Sequence, residues 1–458
     1  MNIPIAINKG SSPSVDVQIS NPRLLNMYVG QRSELNRMAS LDSMSAISDV
    51  LAVHETTYLG GAYIVATKSS LLRVDSGGNV SRLSDIKTSG VTVRMSENQQ
   101  NEVIIVTGSN AYVYKQKETS EPFVQLGTAQ GFDLNNPVDV VVINTFAIII
   151  GGQDKKWALS SPNNAVAYST NDIFLTDESM GELTGCAELD NNLFIFGKNG
   201  IQRWVPGISR TPEDFPFEQD SNFRKKYGAV STGSIVSETD RVYFMSSASQ
   251  VMSLSIQGLE EITTAGISNQ LASYVNPQFS RGSIYNYRGS YFYHLTFPED
   301  NASWVFCESS KTWSESDILI LDSAAKIALN LNVVILSDGI YQLTKSHSSR
   351  LLEINTDVIL GPDSTQSYRD ALNAVKLDLV QGLPQAVEPQ YIELALSTDN
   401  LYFGNRVNQS IGLTGKRLTT TRWRMNVLGE QFTLNFRYYG SLDLTIRRLT
   451  VDINQERT

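Results

Sequence analysis

Seven times along the chain a tight apolar run ends in a short polar or Gly-bearing turn and a second strand-like run follows at once. The runs are Ala62–Ala66, Glu102–Val106, Phe146–Ile150, Leu193–Phe196, Arg241–Met245, Tyr291–Leu295 and Asn332–Leu336. Their centres advance by roughly 40 to 50 residues, the period of a three- or four-stranded meander repeated as the blade of a propeller. In the first unit, Tyr58–Ala66, Ser70–Val74 and Val80–Leu83 are separated by hairpin-length turns at Lys68-Ser69 and Ser76-Gly77-Gly78. Later units turn at Lys198-Asn199-Gly200 and Ser337-Asp338-Gly339, where Asn, Asp and Gly accept positive φ. The pattern predicts an all-β chain: a β-propeller of six or seven blades over residues 50–350. Such a scaffold names no reaction, because propellers carry enzymes, binders and structural proteins alike.

The flanks depart from the repeat. Residues 1–49 contain Asn21-Pro22-Arg23-Leu24-Leu25-Asn26-Met27-Tyr28-Val29, which reads as an extended N-terminal arm laid across the body or a partner. Beyond residue 350, Leu377–Val380, Tyr391–Ser397, Leu418–Val427, Gln431–Tyr438 and Asp443–Asp452 alternate with period two and predict a C-terminal β-sandwich over 351–458. Pro206–Lys226, with three prolines and mixed charge, reads as a long surface loop. Ala324–Leu331 and Ser367–Val380 are the two segments that could form short helices.

The 458 residues carry a net charge of −10, which argues against a general nucleic-acid clamp with basic stripes. The charge is uneven. Residues 401–458 hold nine Lys/Arg against four Asp/Glu, a net of +5, which leaves 28 against 43, a net of −15, for residues 1–400. The two parts therefore face different partners. Lys416, Arg417, Arg422, Arg424, Arg437, Arg447 and Arg448 are candidates to meet DNA, an acidic neighbour or solvent, with Arg422 and Arg424 on one strand face opposite Trp423 and Met425. Cys186 and Cys307 lie in apolar stretches and read as buried free thiols. The start, MNIPIAINKGSSPS, lacks the features of a secretory signal. The most apolar stretch, Val138–Ile150, contains Asp139 and Asn144 and is too short for a membrane span.

Signs of catalysis are weak. Ser397-Thr398-Asp399-Asn400 begins like a sialidase Asp-box but has Leu401 where Gly belongs, and Ser309-Ser310-Lys311-Thr312-Trp313 lacks the Asp and Gly. The acidic pairs Glu213/Asp214, Glu260/Glu261 and Glu299/Asp300 sit in turn-like contexts rather than as a dyad held at a fixed separation. His54, His294 and His347 are far apart, with no metal-binding spacing, and no phosphate-binding loop, nucleophile elbow or Cys-x-x-Cys pair occurs. The expectation is a non-enzyme without cofactor or metal. The alternative is a propeller that recognises a cell-surface glycan as an adhesin or receptor-binding protein, for which Tyr285, Tyr287, Tyr291 and Tyr293 are candidate mouth aromatics, although alternation makes Tyr291 and Tyr293 core.

Three segments, in order along the chain, carry a likeness. Asn21–Tyr28 resembles the start of the packaged-DNA stabilisation proteins, the tail nozzle (hub) subunits of short-tailed double-stranded-DNA bacteriophages. The stretch from Gly185 to Trp204 is similar to that family's strand–turn–strand signature, and Ser397–Gly404, Arg422-Trp423-Arg424 and Leu442–Thr445 are similar to its closing sandwich. Leu401 departs from the Gly usual in the family's turn. The resemblance implies a virion tail protein made in the host bacterial cytoplasm. It also implies a ring of six copies below the portal–adaptor complex, contacts with other tail proteins such as the needle or tailspikes, and transient passage of double-stranded DNA. Asn21, Pro22, Asn26, Met27, Tyr28, Arg422 and Arg424 are then the candidate assembly contacts.

Overall fold

A computed structural model describes residues 2–5, 7, 10–11, 22–56, 58, 62–75, 77–89, 92–207, 216–326, 331–345, 348–358, 369–381, 390–399, 402–411, 418–429 and 431–456. The repeat resolves into seven blades of four antiparallel strands each. They cover 50–85, 94–125, 137–175, 183–225, 236–261, 281–316, and 322–344 together with 40–46. Each of the seven apolar runs coincides with the second strand of one blade, which packs between its sheet neighbours on both sides. Hairpin turns fall at 198–200 and 337–339 as expected, but Asn199, Gly200, Asp338 and Gly339 do not take positive φ there. Asp190 and Asn191 (φ 52° and 61°) close one hairpin and Arg288-Gly289 (φ 53° and 79°) another, consecutive positive-φ positions that match the strand twist.

The ring is closed by the N-terminal region. Ser40–Ala46 pairs antiparallel with Gly339–Thr344 as the outermost strand of blade seven, so the first propeller strand in sequence completes the last blade. Each interface between successive blades has its own apolar cluster. Blades five and six, for example, share Tyr243, Met245, Tyr293, Leu295 and Trp313, and blades one and seven share Val53, Val65, Val333 and Ile335. An eighth cluster fills the sandwich around Val375, Leu377, Leu394, Trp423, Phe436 and Val451.

Of the two placements open to the N-terminal segment, its described residues lie on the body, as strands. Arg23–Leu25 is inserted between Thr312–Ser316 of blade six, in parallel, and Arg350–Val358 of the sandwich, antiparallel. Blade six and one sandwich layer thereby become a single nine-stranded sheet ending at Tyr391–Ser397 and Val407–Ser410. Met27–Val29 and Leu35–Arg37 join the other layer beside Leu444–Glu456, Arg369–Gln381 and Leu418–Gly429, and Asn2–Ile5 pairs with Leu444–Glu456 as well.

Three expectations are corrected. Asp322–Lys326 and Arg369–Gln381 are strands rather than helices: Leu377 and Leu379 point into the sandwich core at a spacing of two, the strand period. The one α-helix among the described residues is Ala265–Ala272, started by Thr264, whose hydroxyl accepts from the Ile267 amide, and anchored by buried Ile267 and Leu271. Phe217–Lys225 is the outer strand of blade four rather than loop, because Phe217 and Phe223 are buried; residues 208–215 of that expected loop lie outside the described residues.

Candidate assembly interface

The first strands of successive blades adjoin around the propeller axis. Their charged residues meet there. Arg94 of blade two donates from Nε to Asp139 Oδ1 of blade three (3.0 Å) and from a terminal nitrogen to the Ile235 carbonyl at blade five (2.9 Å). A side chain that bridges blades three and five from blade two crosses the axis. Asp139 is fully buried and also accepts from the Val140 amide and from the Cys186 amide of blade four (2.9 Å each). Burial pushes its carboxyl up, and the Arg94 guanidinium and these amides oppose that. Asp322 of blade seven accepts from Val53 of blade one (3.1 Å), and buried Arg281 of blade six, pushed down to about 10 by burial, completes two cations against two anions. Of these four residues only Asp139 stands out in the sequence, as the charge inside the most apolar stretch.

The candidate contacts of the N-terminal segment are spent within the chain. Asn26, Met27 and Tyr28 are buried, Pro22 is partly exposed and Asn21 lies outside the described residues. As contacts for a partner, Asn26, Met27 and Tyr28 are therefore corrected. Met27 belongs to the sandwich core, while Tyr28 packs edge-on against Phe292 and Tyr287 of blade six. Asn26 (φ 60°) is where the chain passes from one sheet to the other. Its side-chain amide donates to Asp317 (2.9 Å) and to the Leu351 carbonyl (2.8 Å), and its oxygen accepts from the Asp317 amide (3.1 Å) and from Arg350. Buried Arg37 donates to the carbonyls of Gly440, Leu442 and Ser348, and burial pushes it down to about 10. Arg23 bridges Glu315 of the propeller (2.6 Å) and Glu353 of the sandwich (3.5 Å), and Arg437 pairs with Glu353 (2.9 Å).

Arg437, one of the basic candidates, is thus paired within the sandwich while its side chain stays 40% exposed. Arg422 and Arg424 are exposed on Leu418–Gly429, with Trp423 turned into the core between them, its Nε1 donating to the Val407 carbonyl (2.9 Å). Arg422 lies across from Lys376, and exposed Arg447 and Arg448 follow on Leu444–Glu456, Arg448 across from Asp378. Five cations thus share one flank of the sandwich. Lys416 and Arg417 lie outside the described residues.

The other sequence candidates do not converge. Glu213, Asp214 and His347 lie outside the described residues. Glu260 and Glu261 are neighbours on a strand and point to opposite faces, while Asp300 accepts from the Val275 amide. His54 contacts Glu97 (3.3 Å) and His294 is buried against the Ile318 carbonyl (3.0 Å). Both cysteines are buried and free. Of the four mouth aromatics, Tyr285, Tyr287 and Tyr293 are buried and Tyr291 is exposed, which corrects its placement in the core and leaves no aromatic cluster there. Among the described residues no group of three or more His, Cys, Asp or Glu could hold a metal, and no helix is long and apolar enough to cross a membrane.

A family model described as Bacteriophage P22 Gp10, beta-propeller, matches residues 3–327, more than half of the chain. The chain belongs to this phage stabilisation family. Members of the phage stabilisation family are tail nozzle proteins, so the chain is a structural component of a bacteriophage virion tail. No curated protein matches the sequence. Among solved structures, a streptogramin B lyase is 10% identical, with 67% of this chain and 98% of that one covered and a TM-score of 0.45. Virginiamycin B lyase from Staphylococcus aureus is 9% identical (65% and 95% covered, TM-score 0.45). PorZ of Porphyromonas gingivalis is 12% identical (72% and 44% covered, TM-score 0.42). At these scores the likenesses carry no argument about this member of the phage stabilisation family.

Proposed function

We propose that the chain is the subunit of a tail nozzle: a ring of six copies that attaches below the portal–adaptor complex, extends the DNA channel and helps retain the packaged genome until ejection. Membership of the phage stabilisation family supports the role, and one geometric observation carries the arrangement. Arg94 crosses the propeller axis between Asp139 and the Ile235 carbonyl, so a duplex has no route through a subunit. A channel has to lie between copies. The excess of acidic residues over 1–400 suits that task, because carboxylates repel phosphate at short range while salt screens the remainder beyond roughly 8–10 Å. DNA then passes without adhering.

Arg422 and Arg424, exposed at the sandwich, are the assembly contacts this reading keeps from the sequence. Electron microscopy with class averaging of the purified protein, alone and mixed with a portal–adaptor assembly from the same virus, tests it. Sixfold rings capping the portal end are expected. Monomers that ignore the portal and bind cell-surface glycan would replace the nozzle reading with that of an adhesin.

A further inference from the structure

Among the described residues, the end strands of the two sandwich layers lie on the same flank. Leu418–Gly429 pairs with Arg369–Gln381 alone among the described residues, and Val407–Ser410 ends the other layer. Both strands stand at the far end of their sheets from the propeller, which adjoins the sandwich through Arg23–Leu25 and Met27–Val29. An edge of twelve residues is long for an exposed strand, and monomeric proteins usually shorten, bulge or cover such edges. This one has an outward row of Leu418, Thr420, Arg422, Arg424, Asn426 and Leu428, with Leu418 63% and Leu428 53% exposed. Two apolar side chains thus bracket two cations. Arg422 and Arg424 have no ion-pair partner among the described residues.

We infer that this distal flank, through Leu418, Arg422, Arg424 and Leu428, docks on the acidic propeller of a second copy of the chain. The inference rests on the nozzle reading and names the surfaces that build the ring. Charge complementarity selects the occupant: the flank exposes Arg422, Arg424, Arg447 and Arg448, while propeller residues 50–350 hold 22 Lys/Arg against 31 Asp/Glu, a net of −9. Position sets the contact type. A basic patch at one end of the molecule and an acidic body at the other join head to tail, each subunit using two different surfaces, and such contacts close into rings when the rotation allows. Desolvating the two leucines adds an apolar anchor, with the arginines fixing orientation around it.

The full-length R422E/R424E variant, compared with wild type by mass photometry at low and high salt, with and without the portal–adaptor complex, tests the surface. Circular dichroism and melting should match wild type, since both side chains are exposed, while subunit association weakens at least about tenfold. L418S/L428S should weaken it without the added salt dependence. In mixed light and isotope-labelled protein, zero-length carbodiimide coupling should join Lys376, and the lysine of an R422K variant, to Asp or Glu of the other copy's propeller. Three outcomes overturn the inference. If wild type forms no ring on the portal, the nozzle reading falls with it. If the variants form rings as wild type does, or the cross-links go elsewhere, this surface alone is wrong. If R422E/R424E forms intact rings that lose duplex DNA, the flank serves nucleic acid instead.

Discussion

Asn26 joins three parts of the chain at one buried position. Its φ of 60° lies in the left-handed region, where Asn is tolerated better than most residues, and its side chain holds Asp317, Arg350 and the Leu351 carbonyl together. Asn26→Ala should lower the unfolding free energy by about 2–4 kcal/mol in a denaturant titration, from unpaired buried groups plus backbone strain. Asn26→Gly loses the same contacts but not the backbone fit, and should be less damaging by about 1 kcal/mol. Equal losses would show that the backbone conformation contributes nothing. His294 offers a pH test. Burial, opposed by the Ile318 carbonyl, pushes it down to about 3. Because its folded value lies below the unfolded one near 6.5, its contribution is complete above pH 6.5 and falls by about 1.4 kcal/mol per unit as pH drops towards 3. Stability curves of wild type and His294→Gln should diverge in slope over that window, and parallel curves would contradict it.

At the scale of elements, the blades read from sequence more completely than their contacts do. A hairpin is local, so alternating apolar residues and an Asn or Gly at the turn specify it. The closing strand Ser40–Ala46 is half exposed and has Ser at three of its seven positions, with a partner some 300 residues away, and nothing local marks it as a strand of blade seven. Removing residues 1–46 should leave the Gly339–Thr344 edge bare and the two domains unjoined; size-exclusion chromatography is expected to show aggregation, and a monodisperse, normally melting fragment would refute the closure. At Gly185 a Cβ would sit 2.7 Å from both Asp139 Oδ2 and Ile235 Cδ1. Gly185→Ala must therefore displace the carboxylate that Arg94 holds, costing about 1–3 kcal/mol by calorimetry.

For the whole molecule, the nine-stranded sheet makes propeller and sandwich one mechanical unit. The Arg23–Leu25 strand and the bridges from Glu315 through Arg23 to Glu353 and Arg437 cross the boundary, reinforced by Arg37 on three carbonyls. Scanning calorimetry should accordingly show a single unfolding transition, whereas two resolved transitions would mean that the domains melt separately. Arg37→Met, which strips donors from buried carbonyls at this boundary, should lower that transition by several degrees. A rigid joint also suits the proposed role, since a ring built head to tail needs a fixed angle between the two surfaces of each subunit.

The chain's own order of residues determined what depends on near neighbours: seven hairpin repeats, the alternation that buries Trp423 and exposes Arg422 and Arg424, and the change of character near residue 350. The likeness at Asn21–Tyr28 pointed to the right family, yet the role given to Asn26, Met27 and Tyr28 was wrong, because a short apolar segment reads the same whether it covers a neighbour or its own core. Only tertiary structure decided that those residues are internal, that seven blades close through residues 40–46, and that Arg94, Asp139, Arg281 and Asp322 meet on one axis. The physical reason is common to all three. Each depends on contacts between residues far apart in sequence, whose formation is settled by the packing and charge of the finished ring rather than by any local preference.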